Sequence, residues 1–297
     1  MKRRELFRLS SAMGLSVALP SLAAAAAVPA STAGSLTPPA EGSIPVAVLL
    51  SQNAEMIDFA GPWEVFDNVN VPGRKSAPGF RLFTVAETMA PIRASGGMTI
   101  IPDYTFETAP VARVIVIPAQ SEPNEKVLAW VRQASHSADL TMSVCTGAFL
   151  LAKTGLLSGR PATTHHGFFG QFTMMFPDVS LKRGARYVES GKFATAGGLS
   201  SGIDLALRVV ERYFGRDVAS NTANFMEYQG RGWLDPNSNS AYARMPRSTD
   251  AHPLCPVCTM EVARVGTASS VYRGRTYYFC MEGHKQLFDA APKAYLG

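Results

Sequence analysis

The chain has 297 residues, of which 46% are apolar and 17% charged, and a formal net charge of +5. That balance excludes a disordered or fibrous protein and predicts a soluble globular one of about two domains. Lys2, Arg3, Arg4 and Arg8 against Glu5 carry +3 of the charge before residue 10, leaving +2 for the rest, so no nucleic-acid partner is expected.

In chain order, residues 1–30 read as an export signal. Lys2-Arg3-Arg4 form a basic start, an apolar stretch covers 9–22, and the alanines at 23–27 offer small-x-small cleavage positions. Pro20 interrupts the apolar run, which falls short of the roughly 20 residues a spanning helix needs, so no membrane anchor is expected. The paired arginines ahead of Glu5-Leu6-Phe7-Arg8 resemble a twin-arginine signal, with an ordinary secretory signal as the alternative. Either predicts a bacterial periplasmic location, where unprotected thiols oxidise.

Residues 31–43 are a linker of Ala, Ser, Thr, Gly and Pro. Order is expected from Ile44. Segments 45–50, 80–86, 113–117 and 140–144 are short and rich in Val, Ile and Leu, and helical stretches separate several of them. Continuous apolar strands alternating with helices predict an α/β three-layer sandwich with a mostly parallel sheet covered on both faces. The clearest helices are 124–138 and 201–214. In the second, Ile203, Leu207, Val210 and Phe214 form the core stripe while Arg208, Glu211 and Arg212 are expected to face away. The preceding turn, Gly197 to Gly202, lacks a following Lys-Ser/Thr and reads as a tight strand-to-helix connection rather than a phosphate loop. The main domain is expected over 44–230, a linker or surface excursion over 231–253, and a second domain over 254–297 that needs a metal or a disulfide to stand.

Cys145 is the only cysteine of the large domain, and it sits between an apolar strand and a helix expected from Ala148. A sharp strand-to-helix turn lifts a side chain above the sheet edge and aims helix N-terminal amides at it, an arrangement that favours thiolate. The alternative is a buried cysteine acting as a small apolar residue. The run Ser143-Val-Cys-Thr-Gly-Ala-Phe through Thr-Thr-His165, with Asp58-Phe-Ala-Gly-Pro-Trp-Glu-Val-Phe66 and Thr195-Ala-Gly-Gly-Leu-Ser-Ser-Gly-Ile-Asp-Leu-Ala-Leu207, closely resembles the ThiJ/PfpI superfamily. The nearest branch resembles isonitrile hydratases and the ligand domains of amidase-type AraC regulators.

The resemblance implies a flavodoxin-like, glutamine-amidotransferase-like fold with Cys145 as nucleophile, Asp58 as the acid beside its sulfur and Thr146 as a helper through its amide and hydroxyl. It places His165 near the site. Asp58 also suits a helix N-cap ahead of Phe59, and His165 equally suits a satisfied core or loop position. Many relatives carry His where Thr146 stands, an aromatic residue where His166 stands, and Gly-Gly where Ala119-Gln120 follow the strand that ends at Pro118. Ala119 and Gln120 therefore mark a changed oxyanion loop.

In the tail, Cys255-Pro-Val-Cys258 and Cys280-Met-Glu-Gly-His284 form a three-Cys, one-His set with tetrahedral metal-ligand spacing. Segments 269–272 and 276–279 alternate around Arg273-Gly274-Arg275 as a hairpin, followed by a helix to about Ala290. These motifs, with His284-Lys-Gln-Leu-Phe, Pro292 and Tyr295, resemble a YHS domain, which implies metal handling, with zinc or copper as the ion. Met260 and Met281 lie close by in sequence and suit copper(I). A Cys255–Cys258 disulfide is the alternative.

The sequence thus predicts an exported cysteine-dependent enzyme acting on a small carbon–nitrogen substrate, most like an isonitrile hydratase, with a metal-binding tail. A metal-binding or redox-sensing protein with a non-catalytic large domain, and an amidase- or protease-type hydrolase, are the alternatives. The large domain needs no cofactor, a small molecule and a metal ion are the partners, and the resemblance suggests a homodimer. Transcriptional control is set aside, because export separates the protein from DNA.

Overall fold

The structure is a computed structural model that describes residues 33–74, 78–243 and 248–296. The segment read as an export signal lies outside the described residues.

Seven strands, β1 (Ile44–Leu49), β2 (Phe80–Ala86), β3 (Tyr104–Thr105), β4 (Val114–Ile117), β5 (Leu140–Ser143), β6 (Tyr187–Ser190) and β7 (Phe193–Ala196), form one sheet. Their order is β6-β7-β5-β4-β1-β2-β3. Every neighbouring pair is parallel except β6 with β7, which closes the edge as an antiparallel hairpin. The inner strands are apolar without alternation because both faces are covered: all four residues of β4 are buried.

The connecting helices are α1 (Met56–Asp67), α2 (Glu125–Ser137), α3 (Gly147–Lys153), α4 (Phe169–Met175), α5 (Ser201–Phe214) and α6 (Arg216–Phe225). Alternate residues of β1 divide the core. Val46 and Val48 pack with residues of α1, α5 and α6, whereas Ala47 and Leu49 pack with residues of α2, α3 and α4. This is the three-layer α/β sandwich that the strand and helix patterns predict. α2 starts at Asn124, whose Oδ1 accepts from the Val127 amide at 3.0 Å, and it buries Val127, Val131 and Ser135 on one face.

The charged side of α5 differs from expectation. Arg212 is buried, Arg208 and Arg212 both pair with Glu189, and Arg208 also pairs with Glu211. Their stems cover the sheet edge while the guanidinium groups are neutralised in place.

Both segments read as linkers are tied down where they are described. Leu36 packs against the core and its amide donates to the Arg212 carbonyl at 2.8 Å. Trp233 is buried, with its amide donating to Asp204 Oδ1 at 2.8 Å, and Arg186 N donates to the Pro236 carbonyl. The 231–243 stretch is therefore an anchored excursion rather than a free tether.

The tail is a hairpin, Ala268–Tyr272 against Arg275–Phe279, followed by α7 (Glu282–Ala290). Cys255, Val257, Cys258, Val262, Phe279 and Phe288 form its small core, against which Met174 of α4 also packs. No helix of the described residues is long and apolar enough to cross a membrane.

Candidate functional site

Cys145 leaves β5 and enters α3 with φ of 57°, a left-handed conformation that a side chain adopts only where surrounding structure enforces it. The enforcement is visible. Cys145 N donates to the Gly197 carbonyl at 2.8 Å, Thr164 Oγ1 donates to the Cys145 carbonyl at 2.9 Å, and Gly147 N donates to the Val144 carbonyl. Gly147 must be glycine, because a Cβ there would lie 2.2 Å from the Ile117 carbonyl oxygen. The amides of Thr146 and Leu199 lie near the sulfur and favour its charged form.

Asp58 is the third residue of α1, fully buried, and Glu55 rather than Asp58 occupies the N-cap position. Its Oδ2 accepts from the Ala119 amide at 3.0 Å, and the Ala119 carbonyl accepts from Glu55 N at 2.8 Å, so the loop after β4 holds the helix start in place. Its side chain lies close enough to the Cys145 thiol to interact with it electrostatically, while its Oδ1 is buried with no hydrogen-bond partner. Burial, reinforced by the charge of Glu55 and opposed by the Ala119 amide, pushes the Asp58 carboxyl up to about 7. Burial, followed by the charge of Asp58, pushes the Cys145 thiol up to about 12 against the two amides.

This corrects the expectation of a resting thiolate. Desolvation beside a carboxylate outweighs the helix amides, so the resting pair is a neutral thiol next to a carboxyl that ionises near neutrality.

Ala119 and Gln120 also differ from an oxyanion loop. The Ala119 amide is engaged by Asp58, which leaves the Thr146 and Leu199 amides as the donors around the sulfur. Gln120 buries both ends of its amide without a hydrogen-bond partner. It lines a cavity of about 180 Å³ that opens beside Thr146 and Gly147, with Phe149, Phe168 and Gln171 among its other walls.

His165 lies against Gly198, whose neighbour Leu199 supplies one of the amides. Its Nδ1 accepts from Gly167 N at 3.1 Å, which leaves the ring proton on Nε2, and burial together with His166 lowers its affinity for a second proton. His165 stacks on His166, and His166 on Tyr242, each at 4.5 Å between ring centres. Leu199, Thr164 and Tyr242 were missed in the sequence. The left-handed φ of Leu199, 47°, belongs to the glycine-rich turn after β7, and that turn was the only available signal.

In the tail, one ligand atom from each of Cys255, Cys258, Cys280 and His284 lies within 4.8 Å of the others. Cys258 Sγ is 3.5 Å from Cys280 Sγ, and His284 Nδ1 is 3.1 Å from Cys280 Sγ and 3.6 Å from Cys255 Sγ. Ligands about 2.1–2.3 Å from one tetrahedral ion stand roughly 3.5–4 Å apart, so the donor set fits such an ion with little movement. No disulfide joins the four cysteines in this structure. The Cys258 thiol and nearby amides hold the Cys255 thiol low, whereas Cys255 and burial push the Cys258 thiol up and burial pushes the Cys280 thiol up.

A mostly parallel α/β sandwich with its cysteine on a strained strand-to-helix turn has the backbone geometry of an elbow. The DJ-1/PfpI family profile matches residues 45–212, and the YHS domain profile matches 255–297. The chain belongs to the DJ-1/PfpI family and carries a YHS domain at its C-terminal end. It is 29% identical over 192 residues to an isonitrile hydratase of Pseudomonas putida, covering 63% of this chain and 79% of that protein. It is 27% identical over 155 residues to the HTH-type transcriptional regulator CdhR of Pseudomonas aeruginosa, covering 51% of this chain and 46% of the regulator. A ThiJ/PfpI family protein from Pseudomonas syringae superposes with a TM-score of 0.56 at 24% identity, covering 64% of this chain and 77% of that one, a likeness of fold.

Proposed function

We propose that the large domain is a cysteine-dependent enzyme acting on a small carbon–nitrogen substrate, with isonitrile hydration as the reaction. The observation that carries this reading is the Cys145 thiol facing a buried carboxyl that ionises near neutrality.

In the reaction, Asp58 takes the thiol proton as sulfur forms a bond to the terminal carbon of R–N≡C, and then delivers that proton to the same carbon. The product is a thioimidate, R–N=CH–S–Cys145. Asp58 next takes a proton from water as its oxygen adds to that carbon. The nitrogen gains a proton, the C–S bond breaks, and the thiol leaves as R–NH–CHO forms. Water and isonitrile account for every atom of the formamide. The Thr146 and Leu199 amides stabilise charge on sulfur during attack and departure.

The test is formation of N-benzylformamide from benzyl isonitrile, followed by NMR. Wild-type protein forms it, Cys145→Ala does not, and equal rates in the two would reject the reading. The high thiol value favours a second reading, a domain that binds a small ligand without turning it over. Saturable binding of benzyl isonitrile with no formamide would select it.

The tail is proposed to hold one zinc or copper ion through Cys255, Cys258, Cys280 and His284. A closed four-ligand site of this kind braces a small domain, and its soft donors suit copper(I) as well as zinc. Residues 1–30 are proposed to be removed on export to the periplasm. A mature protein beginning within its first ten residues would reject that.

A further inference from the structure

Helix α4 is the shared wall of two sites. Its seven residues, Phe169–Met175, present three faces. Phe169 and Phe172 are buried in the large domain. Gln171 and Met175, together with Phe168 just before the helix, line the cavity beside Thr146 and Gly147. Gly170 and Met174, four residues apart and so on one side, meet the metal knuckle: Met174 packs on the core that contains Cys255 and Cys258. Gly170 sits so close to the knuckle that a Cβ would lie 2.8 Å from the Cys258 carbonyl oxygen and 3.1 Å from its Cα. Both obstacles are backbone, so the contact cannot be relieved by turning a side chain.

On the other side, α4 is coupled to the elbow. The Phe149 ring of α3 makes edge contacts with Phe168, Phe172 and Phe176, at 6.3, 5.1 and 5.9 Å between ring centres. α3 starts at Gly147, two residues after Cys145. A contiguous run of packed groups thus joins the Cys258 backbone, Gly170, the phenylalanine cluster and the elbow.

We propose that metal binding in the YHS domain fixes the position of α4 and thereby the width of the cavity, so that ligand entry beside Thr146 is controlled by the metal state of the tail. Four ligands drawn onto one ion define the path of the backbone at Cys258, whereas four free thiol and imidazole groups leave it several arrangements. Because Gly170 lies flush against that backbone, a shift of the knuckle is transmitted to the helix rather than absorbed by side chains. The proposal extends the enzymatic reading by naming what regulates the cavity, but its physical content, an α4 that responds to metal, holds without turnover.

The test is hydrogen–deuterium exchange of the full-length protein, metal-free and after addition of zinc alone. Amides of 166–176 are expected to exchange about tenfold more slowly with zinc bound. In Gly170→Ala the tail still takes up one zinc and gains protection over 255–296, while 166–176 stops responding. Met174→Ala, which opens no clash, keeps the proposal testable if the alanine at 170 impairs folding, and it should roughly halve the response. Zinc uptake with protection confined to 255–296 in the wild type would overturn the proposal. An undiminished α4 response in both variants would overturn it equally. An α4 response in a protein that forms no formamide would remove the enzymatic reading and leave the coupling in place.

Discussion

At the scale of single residues, Cys145 and Asp58 act as a unit. The carboxyl sits in a fully buried position where its charged form is disfavoured, and a carboxyl raised from 3.8 to about 7 makes the folded state bind its proton more tightly than the unfolded chain does. The associated stability is present below the unfolded value and is lost as pH rises through the folded one. Asp58→Asn, which keeps an oxygen for the Ala119 amide, should therefore stabilise the protein at pH 8 by about 1–3 kcal/mol, with the gain vanishing near pH 4. Denaturant titrations at the two pH values measure this. The same variant should lower turnover by about 10² to 10⁴-fold. A gain in stability with a loss of activity is the signature of a group held in place for chemistry.

The pair also has a titration signature. The difference in absorbance near 240 nm between wild type and Cys145→Ala, which isolates the Cys145 thiolate from the tail cysteines, should stay absent through neutral pH, while the rate of formamide production climbs as pH passes through about 7 and Asp58 ionises. A difference signal already formed at pH 6 would show that the helix amides at Cys145 outweigh desolvation, contrary to this account.

The elements explain how far the site was legible in the sequence. The apolar strand before Cys145, the glycine two residues after it and the following helix are local patterns, and the elbow they predict is the one found. Asp58 was legible through its resemblance to a known motif, whereas its position inside α1 rather than at the cap depends on the Glu55–Ala119 contact, which no local pattern encodes. Leu199 escaped notice because a backbone amide contributes the same atoms whatever the residue type. Arg212 was misjudged because its partner, Glu189, lies on a strand 23 residues away in sequence. At the elbow itself, Gly147→Ala would drive a Cβ into the Ile117 and Pro118 carbonyl oxygens. The expected cost is about 2–4 kcal/mol, or failure to fold, read from thermal unfolding and soluble yield.

Across the whole molecule, two chemistries share one chain. The sandwich has a large core of its own, whereas the 43 residues of the YHS domain enclose only a handful of buried apolar side chains around their four ligand groups. On the proposed reading, so small a unit draws its stability from an ion. Removing metal with a chelator should release amide protection over 255–296 while the central sheet strands keep theirs, and Cys280→Ser should weaken metal retention at equilibrium dialysis. The 231–243 excursion returns the chain to the large domain through Trp233 and brings Tyr242 onto His166, which stacks on His165.

The central claim is that the Cys145 sulfur bonds to the substrate carbon. Rapid acid quenching of the protein during turnover of benzyl isonitrile, followed by mass spectrometry of the peptide that contains Cys145, tests it most directly. An adduct equal to the mass of the whole isonitrile, confined to that peptide and absent from Cys145→Ala, is the predicted result. Formamide production by Cys145→Ala at the wild-type rate, with no adduct on the wild-type peptide, would contradict it.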